Sequence, residues 1–160
     1  MAEDCHLRNR MEKERAVETD REIDLKLGMG GLADIEFMVQ GQLLVGGRRT
    51  EDGKGSERVP RSVRRLVREF LQETSRAGSS GISSTEMSTA FDALRALDHR
   101  VRLHTNSSTA KLDERRFEAM LLLGLWPPRF DGASIETWED ILRLRREVRG
   151  AFKRFCPQCS

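Results

Sequence analysis

The residues able to do chemistry fall in a few short stretches. Gly28-Met29-Gly30-Gly31 separates the alternating segment Ile23-Asp24-Leu25-Lys26-Leu27 from a helical pattern starting at Leu32. A glycine turn at the mouth of a helix can aim backbone N–H groups and the helix dipole at an anion. Lys26, Gly28, Gly30 and Gly31 are therefore candidates for a phosphate contact, with a plain structural turn as the alternative. Neither the P-loop nor the dinucleotide fingerprint is completed, because the closing Gly-Lys-Ser/Thr and the third spaced glycine are missing. Asp34 and Glu36 form a carboxylate-x-carboxylate pair. On a helix such side chains point about 200° apart, which suits capping or ion pairing better than a shared metal. Asp98 beside His99 could form an acid/base pair, but no nucleophile stands at a fixed spacing, so a polar contact is the expectation. Cys156-Pro157-Gln158-Cys159 has metal-ligand spacing, and Cys5-His6 could complete a set if the termini met. The expectation is free thiols and no metal.

These residues must be placed by helices. The segment 7–22 is dense in Glu, Arg and Lys and predicts an exposed helix whose packing partner lies outside the chain. Strict alternation at Ile23–Leu27 predicts one short strand, extended or paired with a sheet not in this sequence. Leu32, Ile35, Met38, Val39, Leu43 and Leu44 follow helical spacing until Gly46-Gly47. A polar loop is expected over 48–60, a helix over 61–76 with Val63, Leu66, Val67, Phe70 and Leu71 on one face, and a Gly/Ser connection over 77–83. Ser83 and Glu86 have capping-box spacing for a long helix to about His104, striped by Met87, Phe91, Leu94, Asp98 and Val101. Helices over 113–125 and 134–155 complete the pattern. The expected class is mainly all-α, a bundle of about five helices with at most one short N-terminal strand.

Charged residues make up 34% and hydrophobic ones 38% of the 160, a balance suited to helices with long solvated faces. The net charge of +2 is too small to argue for nucleic acid. Arg143, Arg145, Arg146, Arg149, Lys153 and Arg154 make the last helix basic, but no aromatic residues are interleaved for base stacking. No run approaches the roughly 18 apolar residues that span a membrane. The odd count of three cysteines fits a reducing, cytoplasmic setting better than a disulfide framework.

Longer strings are more specific. Arg10-Met11-Glu12-Lys13-Glu14, Asp24-Leu25-Lys26-Leu27-Gly28, Gly30-Gly31, and Asp34-Ile35-Glu36-Phe37 with Val39-Gln40 resemble the motif at the exit of a nucleotidyltransferase core in glutamine synthetase adenylyltransferases. Leu94-Arg95-Ala96-Leu97-Asp98-His99-Arg100-Val101 resembles that family's Leu-Arg-x-Leu-Glu-His-Arg-Leu helix, and 149–155 its final helix. The resemblance is strong over 8–45 and 91–104. It marks Asp24, Asp34, Glu36, Gln40, Asp98, His99 and Arg100 as structural or interface residues.

What the resemblance implies is an enzyme that transfers AMP from ATP to glutamine synthetase with Mg²⁺, reverses the modification in a second domain, and answers to glutamine and the PII signalling protein. Residues 1–31 would be the tail of the core, 32–155 the helical bundle that follows it, and 156–160 a terminal tail. The family's Gly-Ser with Asp-x-Asp and its third carboxylate strand do not occur here, and clustered carboxylates are what such phosphoryl chemistry needs. Ala33 replaces a frequent Arg, and 48–83 matches poorly. The chain is thus expected to be a docking or positioning bundle, inactive alone, whose partners are glutamine synthetase, PII and the absent core. The alternative is a free-standing helical interaction module derived from such an enzyme. The corresponding piece of a PII uridylyltransferase fits the fold but the Asp-Leu-Lys-Leu-Gly string less well.

Overall fold

A computed structural model describes residues 2–16, 18–46, 66–67, 84–108, 111–126, 129–130 and 133–157. In chain order the elements are α1 (Ala2–Arg15), β1 (Glu22–Asp24), α2 (Leu32–Gly46), α3 (Ser84–Thr105), β2 (Lys111–Asp113), α4 (Glu114–Leu122), β3 (Arg129–Phe130), β4 (Ala133–Ser134) and α5 (Trp138–Phe155). The fold is mainly α-helical, as the periodicity predicts. Of the expected helix over 61–76, only Leu66 and Val67 are described, and both are helical. The loop over 48–60, the connection over 77–83 and the Ser83 cap lie outside the described residues.

Each helix buries the stripe its spacing dictates. On α3, Met87, Ala90, Phe91, Leu94, Leu97 and Val101 recur at three and four residues and are all buried. On α5, Ile141, Val148 and Phe152 do the same, with Arg145 between them. Leu32, Ile35, Met38 and Val39 of α2, Phe117 and Met120 of α4, and Leu25, Leu112, Trp126 and Ile135 join one continuous core. Asp113 caps α4 by accepting from the Arg116 N–H. Thr137 and Asp140 form a reciprocal capping box at the start of α5. Gly124, at φ +66°, closes α4: the Leu125 N–H reaches the Met120 carbonyl and the Gly124 N–H that of Leu121.

Several expectations need correction. The strand does have a neighbour within the chain: β1 pairs antiparallel with β2, Ile23 facing Leu112. It is also shorter than the alternation suggests, because Asp24 turns the chain after it. A second small pair, β3 with β4, joins Arg129 to Ser134 and Phe130 to Ala133, so the strands outnumber the one expected. Helix α1 packs within the chain, with Cys5 and Arg8 buried against the bundle. The free-thiol expectation fails for two of the cysteines: Cys5 and Cys156 form a disulfide, with Cα atoms 6.4 Å apart. Sequence distance concealed this, since the pair is 151 residues apart. Cys159 lies outside the described residues.

Candidate functional site

Three carboxylates, Asp24, Glu18 and Asp34, hold the glycine turn. Asp24 ends β1 by accepting the N–H groups of Lys26 and Leu27 at 2.9 and 2.8 Å, a side-chain mimic of a backbone turn. The Gly28 N–H then returns to the Asp24 carbonyl, that of Gly31 to Gly28, and those of Leu32 and Ala33 to Leu25 and Lys26. Met29 donates to Glu18 Oε2 at 3.1 Å and Gly30 to Asp34 Oδ2 at 2.9 Å. Gly30 sits at φ +70°, where a Cβ would overlap the Arg145 carbonyl of α5. Only glycine allows that approach of turn to helix.

Around the turn lies an ion-pair network joining α1, α2 and α5. Arg8 and Asp34 are both 0% exposed, with Nε 2.6 Å from Oδ1. Arg8 also donates to the Gly28 carbonyl at 2.9 Å and pairs with Glu12 at 3.3 Å. Arg149 reaches Asp34 at 3.2 Å and Glu12 at 2.9 Å. Arg145 holds Glu18 at 2.5 Å, and the other contact of that Glu18 oxygen is the Asp24 N–H at 2.8 Å. The three guanidiniums face the carboxylates of Glu12, Glu18 and Asp34, so the charges balance.

This bears on each residue singled out in the sequence. Asp34 accepts the Gly30 N–H and pairs with Arg8 and Arg149. Lys26 is exposed, and the N–H groups of Gly28, Gly30 and Gly31 are already engaged by protein oxygens. An incoming phosphate would have to displace a carboxylate that holds the turn together. Glu36 points away from Asp34 towards α3, half-buried; burial raises its pKa and Asp98 adds to this, while Lys26 and Arg95 pull it down. Mg²⁺ does not fit this pair, because both Asp34 oxygens face guanidiniums and Glu36 is turned elsewhere. Among the described residues no three His, Cys, Asp or Glu side chains gather as a metal group.

Asp98 pairs with Arg102 at 2.9 Å rather than with His99, which is exposed, as is Gln40. Arg100 lies over the Trp126 ring, 5.0 Å from its centroid, while the Trp126 indole donates to the Ile135 carbonyl. Of the basic residues on α5, Arg145 and Arg149 turn inward, while Arg143, Arg146, Lys153 and Arg154 are exposed. Arg145 and Arg149 serve the turn, Arg143 pairs with Asp140 and Arg146 with Glu139. Sequence reasoning gave no role to Arg8 or Glu18 and quoted Glu12 only within a motif. The available signal was Arg145, a charge in an apolar slot between Ile141, Val148 and Phe152.

Comparison with known proteins places the chain in a family. The family model described as GlnD PII-uridylyltransferase matches residues 4–155, from α1 to the end of α5. The bifunctional glutamine synthetase adenylyltransferase/adenylyl-removing enzyme of Caulobacter vibrioides is 36% identical over 109 residues, 68% of this chain and 10% of that protein. The protein of the same name from Brucella suis is 30% identical over 91 residues, 57% of this chain and 8% of that protein. The chain thus spans about a tenth of the length of the curated relatives it matches. No solved structure matches it.

Proposed function

Because the chain belongs to the family described as GlnD PII-uridylyltransferase, we propose that it is a helical positioning and docking module of a nucleotidyltransferase acting in nitrogen regulation. Its work is to hold the strand-to-helix corner at Gly28–Gly31 and to present the bundle to a protein substrate. The relatives' names point to adenylyl transfer, so the substrate protein is glutamine synthetase, with ATP and Mg²⁺ used by a core of which residues 1–31 form the exit. PII is the regulator in this scheme, and the setting is cytoplasmic. The chain does not transfer AMP by itself. The observation that carries this reading is the glycine turn: its N–H groups are satisfied by Glu18 and Asp34, which makes it a rigid joint rather than a nucleotide pocket.

A free-standing interaction module is the second reading, favoured by the exposed leucines at the end of α4. Leu122 is 89% exposed, and Leu123 and Leu125 follow it. One experiment addresses both. The purified chain is titrated against glutamine synthetase with ATP and Mg²⁺ present, and AMP incorporation is followed in the same tube. Binding without incorporation supports the docking module. Incorporation overturns the assignment of catalysis to another segment. Absence of both removes glutamine synthetase as the partner and moves the second reading ahead. Parallel tubes with PII and UTP decide between the two transferase names.

A further inference from the structure

We propose that the Cys5–Cys156 disulfide is a reversible redox clasp that sets how firmly α1, and through it the glycine turn, is held. The inference does not depend on the function proposed above. Cys5 and Cys156 are both buried, one in the first half of α1 and the other capping α5. Among the described side chains of α1, Cys5 is the buried apolar one, Leu7 is exposed, Met11 is half-buried, and the other buried side chain is Arg8, which is held by charge. Glu12 adds a second ionic tie, to Arg149. The disulfide is therefore the covalent end of a contact that is otherwise ionic. Arg8, three residues beyond Cys5, donates to the Gly28 carbonyl, so motion of α1 reaches the turn directly.

The chemistry balances with a low-molecular-weight disulfide such as oxidised glutathione. The thiolate of one cysteine attacks that disulfide and releases one glutathione thiolate. The second cysteine thiolate then displaces the other, closing Cys5–Cys156. A reduced thiol pair reverses the sequence. Both sulfurs lie at helix ends, where fraying of one turn exposes them without opening the core.

The test uses the full chain, its Cys159→Ser variant and its Cys5→Ser variant, equilibrated with mixtures of reduced and oxidised glutathione. Peptide mapping identifies the disulfide and hydrogen exchange reads each element. Oxidation should yield the Cys5–Cys156 linkage in the chain and in Cys159→Ser. Reduction should speed exchange in α1 and across Gly28–Leu32 by about tenfold or more while α3 stays protected. Cys5→Ser should match the reduced form at every ratio. The melting temperature should fall by about 10 °C on reduction, the order expected for opening so long a covalent loop. Failure to form Cys5–Cys156 at any ratio overturns the proposal. So does identical exchange of α1 in the two states, or loss of α3 protection on reduction, which would make the bond a structural staple.

Discussion

Replacing Asp34 by Asn keeps the shape of the side chain and removes its charge from the centre of the ion-pair network. Arg8 is 0% exposed and loses its 2.6 Å partner, keeping only Glu12 at 3.3 Å and the Gly28 carbonyl. The amide can still accept the Gly30 N–H through its oxygen, so the cost falls on the guanidiniums of Arg8 and, less buried and still paired with Glu12, Arg149. Stripping one partner from a buried pair costs about 3–5 kcal/mol, and the residual help from Glu12 argues for about 3. With a urea m-value of about 2 kcal/mol/M, the midpoint should drop by about 1.5 M without a change of slope. The double variant Arg8→Met/Asp34→Leu removes both charges. It should be more stable than the sum of its single variants predicts, by about 2 kcal/mol. A midpoint shift under about 0.5 M for Asp34→Asn, or a coupling below about 0.5 kcal/mol, would refute the view that this pair fixes the joint.

Further predictions use the same unfolding assay. Gly30→Ala should cost about 3 kcal/mol, combining the left-handed backbone penalty with overlap on the Arg145 carbonyl, whereas Gly124→Ala, which meets open space, should cost only about 1. Glu36→Gln should raise stability at neutral pH. The folded pKa of Glu36 is raised by burial, so its ionised form penalises the fold above that pKa; the advantage of Gln should vanish as pH falls below the ordinary 4.5. Thr137→Ala should lose about 1 kcal/mol as the α5 cap is removed. Hydrogen bonding, first from the Thr137 side chain, lowers the Asp140 pKa. The resulting stability is present above 3.8 and lost as pH falls through the folded pKa; Thr137→Ala should weaken that acid dependence.

Helix identity was legible because the stripes on α3 and α5 repeat at three and four residues, a local signal that packing merely confirms. Asp34 was legible as a capping or pairing group from its place after a glycine turn. Its partners were not, since Arg8 and Arg149 approach from helices distant in sequence. The same limit hid the β1–β2 pairing: three residues at 22–24 meet three at 111–113, and no local pattern specifies that register. Arg145 and Arg149 look from sequence like part of a solvated basic face. Only when α5 lies against Gly30 does that face become the inner wall of the joint. Cysteine parity misled in a similar way, because an odd count says nothing of which two sulfurs will be neighbours.

The contact between Cys5 and Cys156 has a consequence for architecture. The bond ties an early turn of α1 to the end of α5, with the two Cα atoms 6.4 Å apart and 151 residues of sequence between them. It closes the backbone between those two cysteines into one covalent ring. A single peptide cut anywhere inside that ring therefore leaves one joined molecule until the bond is reduced. Singly nicked protein should run as one band without reductant and as two with it.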